Sequence, residues 1–562
     1  MSVLINLLTN LWLALANVYR SLRRAPEYVT IQISGSLPEF TPQRGILQRF
    51  GPLRSQAKAQ PPSLQEIRAR LRRISRDGRP NGVVLRVQGL DAGWAALEEL
   101  RREVSAFRER GGRVVAYLIE PDTRSYYLAC AADEALAAPL STVGVVGVGT
   151  RVSFFKDALE RVGAEAEVIA VSPYKSAGDT FTRNDFSRES REQAERLVER
   201  RYEEVISAIA EGRSVSLERA RRLVDGAPYS ASNAVEAGLI DGALYEDELP
   251  ERLGGGERAR LAEWETVQKT LKRSYRRLRR GRRVGVVSLS GVISRGRSRR
   301  LPVPLPFVGG EQAGSDSVVG ALRRAEGSRS VGAVIFSVDS RGGDALASDL
   351  IWREVERIRH KKPIVVLMGE YAASGGYYVS AAANRIFARA NTTTGSIGVI
   401  ITRPVLAGLY EKAGINRVSV ERGARAGLLD TSRRPDEDEI SVLRGQLMGI
   451  YENFKKRVAQ GRDTSSEEVE PIAGGRVWTG AEALQRGLVD EIGGFEDALG
   501  RARELAGLDD FAQWVRITPP GSEHPEPGEN IAEGLAEVAR TVSELKATRA
   551  WTMLPYELRE ER

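Results

Sequence analysis

Ser374 stands just after a β-branched apolar run, PIVVLMG (363–369), and just before Gly375-Gly376 and the apolar stretch YYVSAAA. A hydroxyl between a strand and a helix is well placed to attack. Glycines let the chain turn sharply, and the N–H groups of the helix's first turn can face a developing oxyanion. A second turn of this kind, Gly342-Gly343, ends the apolar run GAVIFSVDS (332–340) and precedes the helical pattern Ala345–Arg359. Its backbone N–H groups could supply a further oxyanion donor. Taken singly, each is also what an ordinary strand-to-helix turn looks like. The conjunction of both points to a nucleophilic serine.

Such a serine needs a base, and histidine does not offer one. The chain has two histidines. His360 lies beside Lys361 and Lys362, and His524 lies in the Pro-rich stretch TPPGSEHPEPG. Neither is spaced for a Ser–His–Asp triad, and the pair is a poor basis for a catalytic zinc site. The single cysteine, Cys130, lies in the apolar run Tyr126–Ala132 and reads as a small core residue.

The elements that must position these residues occur twice. The stretch Gly82–Gly163 overlays 332–414 at a constant offset of 251 residues, to within a residue at the ends. Tyr126-Tyr127 falls on Tyr377-Tyr378, Ala131-Ala132 on Ala382-Ala383, and Thr142, Gly144 and Gly147 on Thr393, Gly395 and Gly398. Each copy alternates short apolar strands with amphipathic helices, which predicts a mainly parallel sheet covered by helices. The expected organisation is an N-terminal segment 1–26, a first copy 27–250, a basic linker 251–283 ending in KRSYRRLRRGRR, a second copy 284–508, and a tail 509–562. The tail holds a Pro-rich stretch, a short helix over 530–547, and Trp551 and Tyr556, which would dock on the body or on a partner.

The segments SRGGDALASDLI, EYAASGGYY, TTTGSIGVI (392–400) and GGRVWTGAEALQRGLVDEIGG (474–494) together resemble the signal peptide peptidase A (protease IV) family. Arg341 stands where that family usually has proline. The resemblance covers about residues 28–250 and 284–500. It implies an α/β fold, a tandem duplication of a ClpP/crotonase-like domain built from ββα units. It also implies a serine peptidase with a Ser–Lys dyad and no cofactor. By resemblance the N–H groups of Gly342 and Gly375 are the oxyanion donors, and Ser396 matches a serine that orients the lysine. On the residues alone, a turn-capping hydroxyl is an equally open reading of Ser396.

The duplication serves as an internal control. Opposite Ser374 the first copy has Thr123, opposite Gly375-Gly376 it has Arg124-Ser125, and opposite Gly342-Gly343 it has Asp91-Ala92. The first copy therefore lacks the nucleophile and the glycine turns. It does contain VSPYKSAGDTFTR, in which Lys175 resembles the family's base; the same offset places Ala426 opposite it. Arg425 is adjacent, but a guanidinium stays protonated and cannot serve as a base. Each copy thus keeps what the other lacks. As a base Lys175 must be neutral near pH 7, so its pKa must fall from about 10.4, which burial can achieve.

The N-terminal stretch 2–19 is uncharged. At about 100° per residue, Ser2, Asn6, Thr9, Asn10, Asn17, Arg20 and Arg24 share one stripe, interrupted by Leu13, while Trp12 and Tyr19 lie on the apolar side. That pattern fits an in-plane membrane anchor better than a span; packing on the protein itself is the alternative. The formal charge of +8 on 562 residues is spread through a globular composition, 42% hydrophobic and 28% charged. No zinc-finger, RNA-binding or Walker motif accompanies it, so nucleic acid is not expected as a partner.

The resemblance implies peptide substrates, cleaved signal peptides foremost, at a bacterial inner membrane with the body periplasmic. It also implies a homotetramer. Arg20, Arg23 and Arg24 after the apolar stretch would favour a cytoplasmic body if that stretch spanned. A crotonase-type acyl-CoA enzyme and a non-catalytic membrane scaffold are the competing readings.

Overall fold

A computed structural model describes residues 2–41, 62–275, 277, 281–301, 310–519 and 551–553. The expected helix over 530–547, His524 and Tyr556 lie outside the described residues. The chain divides into two compact units, Met1–Gly149 with Val198–Gly281, and Thr150–Leu197 with Arg282–Glu561. The segment carrying Lys175 therefore belongs, by packing, to the unit of the second copy.

The first unit is built on the strands β1 (Tyr28–Gly35), β2 (Gly82–Leu90), β3 (Arg113–Ile119) and β4 (Glu134–Ala137). They pair in parallel in the order Gly242–Ala243, β4, β3, β2, β1, Leu261–Glu263. Both faces of such a sheet are covered, so its strands are near-continuous apolar runs. Val83, Val84, Leu85 and Val87 of β2 are all buried. Helices pack against it through amphipathic faces. In Leu64–Asp77, capped by Ser63 and Glu66 in a reciprocal box, Leu64, Ile67, Leu71 and Ile74 recur at helical spacing and face the core.

The N-terminal helix α1 (Ser2–Leu22) lies on this unit with its polar stripe inward. Asn6 and Asn17 are buried, and their side-chain amides donate to the carbonyls of Arg277 and Arg273, both at 2.8 Å. Leu13, the apolar member of the stripe, is buried with them. The opposite face carries Leu4, Leu8, Leu11, Trp12, Leu15 and Tyr19, all exposed, Trp12 by 59%. This inverts the usual arrangement of a surface helix. No described helix is long and apolar enough to cross a membrane.

The second unit repeats the first unit's strand order. Its strands are β5 (Glu165–Ala170), β6 (Arg283–Ser290), β7 (Val292–Ser294), β8 (Arg299–Leu301), β9 (Gly310–Gly314), β10 (Val331–Ser340), β11 (Gly342–Asp344), β12 (Ile364–Ala373), β13 (Thr393–Gly395), β14 (Ile400–Val405), β15 (Val477–Thr479), β16 (Trp514–Arg516) and β17 (Trp551–Met553). The central parallel sheet runs Glu491–Ile492, Arg385–Ala388, β12, β10, β6, β16, strand for strand the counterpart of the first sheet. Beyond its end β12 also pairs with β13, which meets β15. A second sheet follows the order β8, β9, β7, β11, β17, β14, β5. A large core seats these elements, with Val334, Phe336, Val366, Met368, Tyr377 and Tyr378 fully or almost fully buried.

Candidate active site

Strand β12 ends at Ala373, and Ser374 follows with φ 54° and ψ −113°, a conformation side chains rarely adopt. Its N–H donates to the Gly395 carbonyl at 2.8 Å, which closes the ladder with β13. The next residue, Gly375, opens the helix α2 (Gly375–Ser380), so its N–H belongs to the first turn, which has no intrahelical acceptor. Gly376 has to be glycine, because a Cβ there would lie 2.5 Å from the Ser340 carbonyl oxygen. The helix therefore sits directly on the end of β10, and that close approach positions the hydroxyl. Ser396 has φ 50°. Strain of this kind costs about 1–3 kcal/mol per residue and gathers at functional sites.

Lys175 comes from a different part of the chain. Strand β5 pairs antiparallel with β14, Ala170 opposite Ile400, and carries the chain into the turn VSPYK. There the Lys175 N–H donates to the Ser172 carbonyl at 3.1 Å. Gln193, buried on the helix α3 (Arg188–Arg213), holds the turn from outside. Its Nε2 donates to the Tyr174 carbonyl at 3.1 Å, and its Oε1 accepts from the Val477 N–H at 2.8 Å. Gly475, at φ 86°, presses against the lysine: a Cβ there would come within 2.7 Å of Lys175 Cα.

These elements bring Lys175 Nζ to 2.6 Å from Ser374 Oγ. Nζ also lies 3.0 Å from both the hydroxyl and the carbonyl oxygen of Ser396. Lys175 is 1% exposed, and Ser374 and Ser396 are 0%. Burial holds the Lys175 amine well below its ordinary 10.5. A neutral amine has two N–H donors and one lone pair. Donation to the two Ser396 oxygens leaves the lone pair for the Ser374 hydroxyl, so three neighbours match three sites.

Gly342 opens β11. Its N–H donates to Ser340 Oγ at 3.1 Å, and Ser340 Oγ in turn donates to the Gly291 carbonyl at 2.6 Å. The family-atypical Arg341 stacks on the Tyr371 ring, its guanidinium carbon 4.3 Å from the centroid. Sequence reasoning missed Gln193, Gly475 and Ser340. Gly475 was within reach, since GGR (474–476) opens a motif already noted. Gln193 gave no signal, being one glutamine in a charged helix. Among the described residues, no group of His, Cys, Asp or Glu could hold a metal ion.

The site is that of a serine-type peptidase on a tandemly duplicated α/β fold. The Peptidase family S49 model matches residues 106–258 and 356–509, one stretch in each copy. "Serine protease SPPA, chloroplastic" of Arabidopsis thaliana is 33% identical over 86% of this chain and 72% of its own length. "Protease 4" of Haemophilus influenzae is 30% identical over 76% of this chain and 71% of its own. A ClpP1 mutant structure from Listeria monocytogenes aligns at 16% identity over 38% of this chain and 94% of its own, with a TM-score of 0.23. The chain belongs to peptidase family S49.

Proposed function

We propose that this protein is a membrane-associated serine endopeptidase with a Ser374–Lys175 dyad, which degrades cleaved signal peptides and similar short apolar peptides. The observation that carries the reading is the buried 2.6 Å contact between Nζ and Oγ. Lys175 takes the Ser374 proton as Oγ attacks the peptide carbonyl. The lysine then gives that proton to the leaving amine. For the second half, it takes a proton from the water that attacks the acyl-enzyme. The oxyanion is held by the N–H groups of Gly375 and Gly342, the latter exchanging its bond to Ser340 Oγ for one to the substrate. Ser396 keeps the lone pair of Nζ aimed at Ser374. No cofactor enters these steps.

The membrane part of the reading is supported by α1, which turns its polar stripe to the protein and its leucines and Trp12 outward. An in-plane helix of this kind buries its outer face at the headgroup boundary. The basic linker beneath it adds attraction to anionic lipid. A bacterial inner-membrane location with a periplasmic body, and a homotetramer, complete the proposal on the strength of the family.

The test is hydrolysis of an apolar peptide by wild type, Ser374→Ala and Lys175→Ala, together with labelling by a fluorophosphonate probe. Both variants are expected to lose turnover by at least about a thousandfold, and the probe to label wild type at Ser374 alone. Undiminished turnover in Ser374→Ala would refute the dyad. An assembled wild-type protein that takes no label and hydrolyses nothing would favour the scaffold reading.

A further inference from the structure

Residues 268–273 of the basic linker lie along the C-terminal end of α1, and cations converge there. Between Gln268 and Arg283 the sequence has nine arginines and lysines and no Asp or Glu. The end of α1 adds Arg20, Arg23 and Arg24. Asn17 fixes the junction. Its Oδ1 accepts from Arg20 Nη1 at 3.1 Å and from the Arg273 N–H at 2.9 Å, and its Nδ2 donates to the Arg273 carbonyl at 2.8 Å. Arg20 Nε donates to the Lys269 carbonyl at 3.4 Å. Arg73, on the helix Leu64–Asp77, donates to the carbonyls of Gln268, of Leu271 at 3.1 Å and of Lys272 at 3.3 Å. Arg20 and Arg73 thus grip one short turn that leads straight to Arg273.

None of these acceptors carries a charge. Asp77, the carboxylate that acts on Arg73, is bound by Arg79 through Nε at 2.6 Å and Nη2 at 2.9 Å, and accepts the Lys272 N–H at 2.6 Å. Burial and then the neighbouring Arg273 lower the Arg20 guanidinium from its ordinary value; burial, Arg273 and Arg20 lower that of Arg73. The Arg273 side chain is exposed and makes no hydrogen bond or ion pair with the described residues. Like charges held together repel one another, and an anion relieves them. The same end of α1 turns Val18, Tyr19 and Leu22 outward, each more than half exposed. A phosphate bordered by apolar side chains is what the headgroup boundary of an anionic bilayer supplies. The planar fork of a guanidinium matches that phosphate with paired N–H···O bonds.

We propose that Arg20, Arg73 and Arg273 form a binding site for the phosphate of an anionic phospholipid headgroup, by which the protein selects anionic bilayers. The proposal rests on the membrane-associated reading of α1. It adds a stoichiometric site to it: one phosphate, three arginines, at one place on the helix. Diffuse attraction to a basic linker needs no such place.

The test separates a site from a surface charge. A short-chain phosphatidylglycerol, dissolved as monomers, presents the headgroup without a bilayer or its surface potential. Titrated into full-length protein, it should bind saturably with a Kd on the order of 1 mM. Arg273→Gln, whose lost guanidinium leaves no described partner behind, should weaken that binding about tenfold or more. Inorganic phosphate is the second arm, and should bind about tenfold more weakly for want of apolar contact. Absence of saturable lipid binding, or equal binding by Arg273→Gln, overturns the proposal. Phosphate binding as tight as that of the lipid assigns the site to a free anion and overturns it too. Vesicles supply an independent readout. Wild type should prefer mixed phosphatidylglycerol–phosphatidylcholine vesicles to phosphatidylcholine alone. Arg20→Lys with Arg273→Lys keeps the net charge and removes two forks, so partition to the mixed vesicles should fall about fivefold. An unchanged partition would mean diffuse attraction, which overturns the site and leaves the membrane reading standing. If wild type binds neither vesicle, the membrane reading fails, and the monomer titration still decides the site.

Discussion

Lys175→Met isolates the electrostatic claim on which the dyad rests. Methionine keeps the length of the side chain and removes the amine. The folded-state pKa of Lys175 is depressed by burial, well below 10.5, whereas in the unfolded chain it returns to that value. Above 10.5 the amine is neutral in both states and contributes no pH dependence. As pH falls below 10.5, the unfolded wild-type chain binds a proton that the folded chain refuses. Wild type therefore loses stability relative to the variant by about 1.4 kcal/mol per pH unit. The loss stops where pH reaches the folded pKa, below which both states bind the proton. The hydrogen bonds that methionine forfeits shift the whole difference by about 1–3 kcal/mol but do not tilt it. Other titrations are common to both proteins and cancel. Thermal unfolding from pH 6 to 10.5 should thus give melting curves whose separation changes by roughly 2–3 °C per pH unit, wild type gaining with rising pH. Parallel curves across that range would mean that folded Lys175 titrates normally, and a lysine charged at neutral pH cannot be the base.

Two further outcomes follow from the same geometry. Ser396→Ala removes one of the two acceptors at Nζ, so kcat should fall about 10- to 100-fold with KM unchanged, and the alkaline-going limb of the kcat/KM profile should move; a fall in Tm with no movement of that limb would reduce Ser396 to a structural role. Replacing Trp12 and Leu15 together by serine removes about 3 kcal/mol of transferable apolar surface, roughly a hundredfold in partitioning to anionic vesicles, while turnover of a soluble peptide stays as it was; unaltered vesicle binding would remove α1 from the membrane contact.

The sequence was legible where chemistry and local pattern coincide. Ser374 stands between an apolar strand and a glycine pair, and the helix Ala345–Arg359 is found with the bounds its periodicity predicts. The strand order of the two sheets repeats as the offset of the copies requires. Lys175 was reachable only through the duplication and the family, because nothing local marks a lysine in a polar loop. The pairing of β5 with β14 joins residues far apart in sequence, and only that pairing shows how the lysine arrives. The direction of α1 also exceeded the pattern. Periodicity separates a polar stripe from an apolar one but does not say which of them meets the protein; Asn6 and Asn17 answer that through bonds to backbone carbonyls. The tail strand was invisible, since three residues carry no periodicity and two of their partners are glycines.

The first copy shows which part of the site is scaffold and which part is chemistry. Thr123, at the position of Ser374, donates its hydroxyl to the Gly147 carbonyl at 2.9 Å, and Gly147 is the counterpart of Gly398, whose carbonyl oxygen lies 3.5 Å from Ser374 Oγ. The hydroxyl thus faces the same carbonyl in both copies, but only in the first does that carbonyl take its hydrogen. In the first copy the turn is closed by Asp122 and Ser125 in a reciprocal cap, where the second copy has Ala373 and Gly376. The cap takes up the Asp122 and Ser125 N–H groups, so the Ser125 N–H is already spent on a side chain. A hydroxyl on a carbonyl also has no group to take its proton. What the second unit adds is an amine kept out of water and a helix start left uncapped. Thr150–Leu197 packs with that unit although it belongs to the other copy by sequence. Cutting the chain between the repeats would therefore separate Lys175 from Ser374 and part β5 from β14, while leaving both central parallel sheets undivided. The split dyad is a property of the packing unit, and the repeat boundary is the wrong place to look for an independent enzyme.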